Sequence, residues 1–414
     1  MAEGLIGSEI LRIAAAIRQM QQDGRPVLNF TVGDFDPRYF PIPEKLKKAI
    51  FEALEKGETN YPPSNGILEL RRAVQRFYER ELHLSYPTES VLISSGARPA
   101  LYGVYRTVVD PGDRVIYPIP SWNNNHYVHL SSATAVPIEC RAADGFLPTV
   151  ASLKKELDRA RLLVLNSPLN PTGTALRRDV LASICEAVLE ENHRRDLRGD
   201  RPLYLLYDQI YWMLCFDHTE HFTPPGLFPE IARYTLLVDG ISKAFAATGL
   251  RVGWAVGPVD LIERMSSILG HVGAWAPRPE QVATVALLDD VEGIGAYHRV
   301  FKEAVSSRLD SIHQGIQRMK SEGLPVESLP PMGAIYLSVR IDAIGRKTPR
   351  GDVLSTSESV RQYLLEGAGI AIIPFDAFGV TRDEGWFRLS VGAVSTEQIR
   401  TALPLLKSAL EALS

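Results

Sequence analysis

Three segments of the chain carry polar side chains whose types and spacing could do chemistry. They are NSPLNPTG at residues 166–173, YDQIY at 207–211 and SKAFAATGLRVGW at 242–254. The amine of Lys243 in the third segment can form an imine with an aldehyde cofactor. The carboxylate of Asp208 in the second segment can keep a pyridine nitrogen protonated, which makes the ring an electron sink. Together the segments indicate covalent chemistry on an aldehyde-bearing pyridine.

Four further side chains of these segments suit the other substituents of such a ring. Tyr211 and Asn170 can hydrogen-bond a phenolate oxygen. Ser242 and Arg251 lie on either side of the lysine and can hold a phosphate. Taken singly, each residue has a plain structural explanation, such as a turn for the Asn-Pro-Thr-Gly at Asn170. The whole ordered set favours the chemical interpretation.

The chemical segments follow short apolar runs. The strand candidates are residues 91–93, 114–117, 162–165, 203–206 and 236–238. Their nearly continuous hydrophobicity is typical of strands covered on both faces. Helices are predicted between most of them, one after Gly96 and another at about 177–192. This alternation predicts an α/β domain with a mostly parallel sheet, and ligands bind at the carboxyl ends of such strands.

The two ends of the chain have a different pattern, with helices and more widely spaced strands. The predicted elements are a helix at about 8–22, a helix from Pro43, strands at 333–340, 370–374 and 386–391, a helix near 356–366 and a final amphipathic helix. The polar stretch 194–202 is predicted to be an exposed loop. We expect a large domain of residues 43–295, and a smaller α+β domain made of residues 1–42 and 296–414.

The Ser-Lys-x7-Arg-x-Gly-Trp pattern at 242–254 resembles that of the class I, fold-type I aminotransferases, and the likeness covers nearly the whole chain. The resemblance implies an α/β fold with a mostly parallel seven-stranded sheet, and pyridoxal 5′-phosphate (PLP) as cofactor. It assigns Lys243 to a Schiff base with PLP and Asp208 to the ring nitrogen. Tyr211 and Asn170 would bind the ring oxygen, and the flanking serine and arginine would bind the phosphate.

Other segments of the chain fit the same scheme. Gly96, Ala97 and Arg98 lie between a strand and a helix, where backbone amides favour a phosphate. Arg98 replaces a residue that is often small or polar in the family, so a structural role also stays open for it. Trp122 resembles the aromatic residue that stacks on the cofactor ring. Tyr61 resembles the tyrosine that reaches the phosphate of the partner subunit, which implies a homodimer with shared active sites.

Substrate contacts are implied at the two ends of the chain. Gly33 lies in a segment that resembles the strip near the substrate carboxylate, and Arg388 would grip the α-carboxylate as a bidentate fork. Asn170 and Trp122 would also line the substrate. Arg278 lies where relatives place side-chain contacts from the other subunit.

Composition excludes several other classes of protein. The 414 residues have a formal net charge of −4 with interspersed signs, so nucleic-acid binding is not indicated. No apolar run approaches a membrane span, and the N-terminus lacks the pattern of a signal peptide. Three widely spaced cysteines predict neither disulfides nor a metal site, and His218 with His221 are not expected to bind a metal. We therefore expect a cytoplasmic enzyme.

The resemblance implies a ping-pong aminotransferase in which 2-oxoglutarate with glutamate is one pair and aspartate or an aromatic amino acid is the other donor. Lys243 would be both the covalent anchor and the general acid and base. Two alternatives stay open. A carbon–sulfur β-lyase or another elimination enzyme could use the same cofactor residues. A regulator of this fold would need a preceding DNA-binding domain, for which the sequence shows no basic helix-turn-helix segment.

Overall fold

The computed structural model describes residue 5, residues 9–216 and residues 219–414. The start of the first predicted helix at Ser8 and one of the two histidines, His218, lie outside these residues. The N-terminal elements are α1 (Glu9–Gln22), β1 (Leu28–Asn29), α2 (Glu44–Glu55) and α3 (Leu68–Leu82). The helix predicted from Pro43 is confirmed as α2, because Pro43 caps it and its Leu46 and Ala53 are buried.

A seven-stranded sheet forms the centre of the molecule. Its strands are β2 (Val91–Ser94), β3 (Arg114–Ile119), β4 (Thr134–Glu139), β5 (Ala160–Asn166), β6 (Tyr204–Asp208), β7 (Thr235–Gly240) and β8 (Gly253–Val256). They lie in the order β2-β8-β7-β6-β5-β3-β4. Strand β8 runs antiparallel to both neighbours, and the other pairs are parallel. The predicted mostly parallel sheet is therefore confirmed.

Helices cover both faces of this sheet, as the apolar strand sequences require. The helices between β2 and the C-terminal sheet are α4 (Ala97–Val108), α5 (Asn124–Leu130), α6 (Val150–Leu157), α7 (Arg178–Arg198), α8 (Pro224–Leu227), α9 (Ile241–Ala244), α10 (Val259–His271), α11 (Arg278–Leu288) and α12 (Val291–Ser321), the last of which packs mainly on the C-terminal sheet. Apolar residues of α4 and α10 pack with Leu206 and Val238 on one face. Residues of α3, α7 and α11 pack with Leu205 and Leu237 on the other.

The predicted loop at 194–202 is wrong for its first half, because α7 continues to Arg198. The carboxylate of Glu191 is buried and accepts hydrogen bonds from Arg194 and Arg195 one turn later. The buried Arg195 also donates to the carbonyl oxygens of Leu157 and Ala160. Charged residues that looked solvent-exposed in the sequence thus extend the helix, because each charge has a partner.

The C-terminal part is an antiparallel sheet with helices. Its elements are β9 (Val326–Ser328), β10 (Tyr336–Ile341), α13 (Ser357–Ala368), β11 (Ile370–Ala371), β12 (Ile373–Pro374), β13 (Trp386–Ser390) and α14 (Thr396–Glu411). The sheet order is β12-β13-β10-β9, and β1 pairs with β11 in a separate parallel ladder. Capping boxes at Thr356 and Ser395 fix the starts of α13 and α14. The division at residues 42 and 295 stays a prediction, and α12 spans the second boundary.

Candidate active site

A cavity of about 590 Å³ opens at the carboxyl ends of β5, β6 and β7. This is the edge at which parallel α/β sheets bind ligands. Among its lining residues are many of those predicted from the sequence: Gly33, Ala97, Arg98, Trp122, Asn170, Asp208, Tyr211, Ser242, Lys243, Arg251 and Arg388. Residues that are far apart in the chain therefore meet in one place.

Lys243 lies on α9, immediately after the buried strand β7. Its Nζ donates a hydrogen bond to the carbonyl oxygen of Gly33 at 2.7 Å. The pKa of Lys243 is lowered to about 8, chiefly by burial; Asp34 opposes this shift, and the cations of Arg388, Arg98 and Arg251 contribute to it. The lysine therefore has a larger neutral, nucleophilic fraction near neutral pH than an exposed lysine has.

Asp208 ends the neighbouring strand β6. Burial raises the pKa of this carboxyl to about 7, and a hydrogen bond from the amide of Ile210 to its Oδ1 opposes the rise. Asn166, at the end of β5, donates to the Asp208 carbonyl at 2.8 Å and accepts from the Asn170 amide at 2.9 Å. The acid thus lies in a low-dielectric site in which a cationic partner would stabilise its charged form.

Arg388 comes from β13 of the C-terminal sheet and is only 2% exposed. Its Nη1 donates to Asn170 Oδ1 at 3.2 Å, and its Nη2 donates to the Thr31 carbonyl at 2.7 Å. Its Nε has no hydrogen-bond partner in the described chain. A buried guanidinium with a donor to spare is suited to an anionic ligand.

Arg251 lines the cavity, and Gly96, which is not a lining residue, lies against the Arg251 guanidinium. Arg251 has a left-handed backbone and directs its Nη1 to the Thr248 carbonyl at 2.6 Å and its Nη2 to the Ser95 carbonyl at 3.0 Å. Gly96 has a φ of 84°, and a Cβ at this position would lie 2.7 Å from the Arg251 Cζ. Helix α4 begins at the next residue. The guanidinium and the free amides of the helix start therefore lie side by side.

Arg98 and Trp122 line the same cavity. The Arg98 guanidinium lies 5.3 Å from the centroid of the Trp122 ring, a cation–π contact. No carboxylate in the described part of the chain forms an ion pair with Arg98. The cavity thus contains a third arginine whose charge is not neutralised by a neighbour.

Tyr61 and Arg278 lie outside this cavity. Tyr61 is 82% exposed, and the edge of its ring contacts Trp275 with 5.6 Å between the ring centroids. Arg278 forms an ion pair with Glu58 of its own chain at 2.5 Å. Since both were predicted to serve a partner subunit, their roles stay predictions.

Tyr336 and Asp34 line the cavity but were given no role from the sequence, and both make contacts across long chain separations. The Tyr336 hydroxyl lies 2.7 Å from that of Tyr211. Asp34 accepts a hydrogen bond from Thr248, which fastens the N-terminal strip to the loop after Lys243. Neither contact has a local sequence signal, because each joins elements more than a hundred residues apart.

The remaining observations bear on metals and membranes. Within the described residues, no group of three or more metal-ligating side chains is present. His221 faces Gln209 at 3.4 Å, and burial lowers its pKa to about 3. None of the helices described is both long and apolar enough to cross a bilayer.

A mostly parallel seven-stranded sheet with a half-buried lysine and a half-buried aspartate at neighbouring strand ends is the architecture of fold-type I enzymes. The family model "Aminotransferase class I and II" matches residues 25–406. The chain therefore belongs to this family and is a transaminase. The family generally depends on PLP.

Individual relatives agree with this assignment. An aspartate aminotransferase from Rhizobium meliloti (strain 1021) is 33% identical over 98% of this chain and 94% of its own length. An aspartate/prephenate aminotransferase from Thermus thermophilus is 31% identical over 96% and 94%. A crystal structure of the Rhizobium meliloti aspartate aminotransferase superposes with a TM-score of 0.91 at 31% identity, covering 100% of this chain and 98% of that chain. The predicted family, fold and enzyme class are confirmed.

Proposed function

We propose that this chain holds PLP on Lys243 and transfers an amino group from an L-amino acid, aspartate or an aromatic one, to 2-oxoglutarate. The observation that carries the proposal is the single cavity in which Lys243, Asp208, Arg251 and Arg388 meet. Two of these are buried titratable groups with strongly shifted pKa values, which is common at catalytic sites.

The residues present fit PLP at each of its polar positions. The absence of a side chain at Gly96 gives Arg251 and the start of α4 access to one another, which suits a phosphate. The buried Asp208 suits a protonated pyridine nitrogen, and the Tyr211 hydroxyl and the Asn170 amide suit the ring oxygen. Trp122 supplies an aromatic face and Ser242 a further hydroxyl.

Bound PLP supplies an aldehyde that captures amines and a protonated ring that withdraws electrons from the substrate. Lys243 Nζ takes the proton from the substrate Cα and later returns one, since its pKa near 8 allows both forms near neutral pH. Asp208 holds the proton on the ring nitrogen. Arg388 binds the α-carboxylate and so orients the Cα proton toward the lysine.

The preference for aspartate or 2-oxoglutarate rests on Arg98. These substrates carry a second carboxylate, and Arg98 is the cavity arginine that is assigned neither to the phosphate nor to the α-carboxylate and that forms no ion pair within the described residues. Its contact with Trp122 leaves the guanidinium edge available for hydrogen bonds. The names of the Rhizobium and Thermus relatives support the same substrate. Arg278 is the second candidate for side-chain recognition, acting in a dimer.

A donor panel with 2-oxoglutarate as acceptor tests the function. We expect 2-oxo acid and glutamate in equal amounts, with aspartate or an aromatic amino acid as the best donor. Formation of pyruvate and ammonia without an acceptor would instead identify a β-lyase. If none of the amino acids in the panel gives a 2-oxo acid, the proposal is refuted.

Two substitutions test Arg98 in the same assay. Arg98→Gln removes the positive charge, and Arg98→Lys keeps the charge but removes the planar guanidinium. Loss of one carboxylate contact should lower kcat/KM for aspartate about tenfold or more, since hydrogen bonds to charged groups contribute about 1.5–3 kcal/mol. Arg98→Lys should retain part of the activity. An equal loss for alanine, which has no second carboxylate, would contradict this role for Arg98.

A homodimer with shared sites, a cytoplasmic location and the two-domain division complete the proposal. The exposed Tyr61 and the nearby exposed Phe51 and Leu54 support a subunit contact there. Mixing inactive Tyr61→Phe and Lys243→Ala chains tests sharing, because one of the two sites in a mixed dimer would be intact. Recovered activity is expected, and an active monomer would exclude the arrangement.

A further inference from the structure

Tyr336 contacts three separate parts of the cavity. Its ring, 1% exposed, projects from β10 of the C-terminal sheet. Its hydroxyl lies 2.7 Å from that of Tyr211, and the Arg388 guanidinium lies 4.7 Å from the centroid of its ring. A Cβ at Gly33 would lie 2.9 Å from the same hydroxyl. One side chain therefore touches the residues proposed to hold the cofactor oxygen, the substrate carboxylate and the lysine amine.

We propose that Tyr336 is a positioning residue for the transamination, acting through Tyr211 by its hydroxyl and through Arg388 by its ring. The inference rests on the proposed function, since Tyr211 and Arg388 are given roles there. Tyr336 itself needs no contact with the cofactor or the substrate. Its two parts act on two different groups, so they can be separated by substitution.

The hydrogen bond between the Tyr336 and Tyr211 hydroxyls has a preferred donor. When Tyr336 donates its proton to the Tyr211 oxygen, the Tyr211 proton remains free for the cofactor oxygen, and each bond strengthens the other. Burial raises the pKa of Tyr336, while the Arg388 cation opposes that rise and favours the donor role. Asp34 and Arg98 are the other charged groups that act on this hydroxyl, with opposite signs.

The ring has a second effect. The Arg388 guanidinium contacts the rings of Tyr336 and Phe378, at 4.7 and 5.0 Å from their centroids. Flat rings on the guanidinium restrict its orientation and leave its edge for a carboxylate. Gly33 permits this arrangement, because any larger residue there would collide with the Tyr336 hydroxyl. The N-terminal strip and the C-terminal sheet thus depend on each other at this point.

Tyr336→Phe removes the hydroxyl and keeps the ring. We expect kcat to fall about threefold to tenfold, the effect of one hydrogen bond, while KM for the amino acid stays unchanged. The visible absorption of the PLP-loaded protein should titrate at higher pH than in wild type. The reason is that a weaker hydrogen bond from Tyr211 leaves the cofactor oxygen more basic.

Tyr336→Leu removes the ring as well. We expect KM to rise in addition to the loss in kcat, because Arg388 loses one of its two flanking rings. Tyr363→Phe is the matched control, since the Tyr363 hydroxyl also makes a 2.7 Å hydrogen bond, to the Ala409 carbonyl, away from the cavity. It should change neither the titration nor the kinetics.

A double-mutant cycle decides whether the hydroxyl acts through Tyr211. If it does, Tyr211→Phe with Tyr336→Phe should titrate like Tyr211→Phe alone. Additive shifts, or a Tyr336→Phe protein that titrates as wild type does, would overturn the inference. Failure of the proposed function would be seen already in the wild-type chain, as absent PLP-dependent absorption or absent transamination.

Discussion

Replacing Gly96 with alanine should perturb the end of the cavity at Arg251, which is proposed to hold the phosphate. The new Cβ would lie 2.7 Å from the Arg251 Cζ. Because carbon atoms pack at about 3.5–4.0 Å, the guanidinium would have to move by about 1 Å. Loss of its charge-assisted contact should weaken PLP binding about tenfold to a hundredfold, from about 1.5–3 kcal/mol for a hydrogen bond to a charged group. In addition, alanine at φ 84° strains the backbone, which should lower the free energy of unfolding by about 1–3 kcal/mol.

Gly112→Ala is the control for the strain. Gly112 has a φ of 87°, and a Cβ there would meet no atom within 4 Å. Both variants should therefore unfold at lower denaturant concentration than wild type, but only Gly96→Ala should bind PLP more weakly. Equilibrium binding of PLP and of pyridoxal, which lacks the phosphate, measures the difference. If Gly96→Ala binds PLP as Gly112→Ala does, or loses pyridoxal equally, the assignment of this end to the phosphate is refuted.

Two further predictions concern buried groups near the cavity. In cofactor-free protein, the rate of Lys243 acylation, followed by mass spectrometry, should rise with pH with a midpoint near pH 8. The reason is that the lowered pKa makes this amine neutral at a lower pH than an exposed lysine. A midpoint near pH 10 would contradict the effect of burial. Asp239 accepts hydrogen bonds from Trp212 Nε1 at 2.7 Å and the Tyr78 hydroxyl at 3.3 Å. Asp239→Leu should therefore lower the free energy of unfolding in urea by about 1–3 kcal/mol, whereas Asp239→Asn keeps an acceptor and should cost less. Equal losses in the two variants would show that these hydrogen bonds contribute little.

Many residues of the proposed cofactor site could be predicted because they follow strand ends in a fixed order. Asp208 ends the apolar strand β6 and Lys243 lies in the helix that follows the apolar strand β7, so the parallel pairing of these strands brings them together. Strand β4 had no such signal, since it lies at the sheet edge and is largely exposed. Its alternation of exposed and covered residues does not resemble the buried strands.

The contacts that tune the site could not be predicted. Tyr336 meets Tyr211 only because the C-terminal sheet packs over the cavity, and neither residue's neighbours in the sequence indicate it. The end of α7 was predicted wrongly for a similar reason. A buried Glu191 that pairs with three arginines looks in the sequence like part of a solvated charged run. The local composition of a segment does not indicate which residues from other segments will contact it in the folded chain.

The attachment of PLP to Lys243 is the central claim, and chemical mapping tests it most directly. The PLP-loaded protein would be reduced with borohydride, digested and analysed by mass spectrometry. We expect the pyridoxyl group on the peptide that contains Lys243, and neither this group nor the visible absorption band in Lys243→Ala. A pyridoxyl group on a different lysine, or a visible band that persists in Lys243→Ala, would contradict the account.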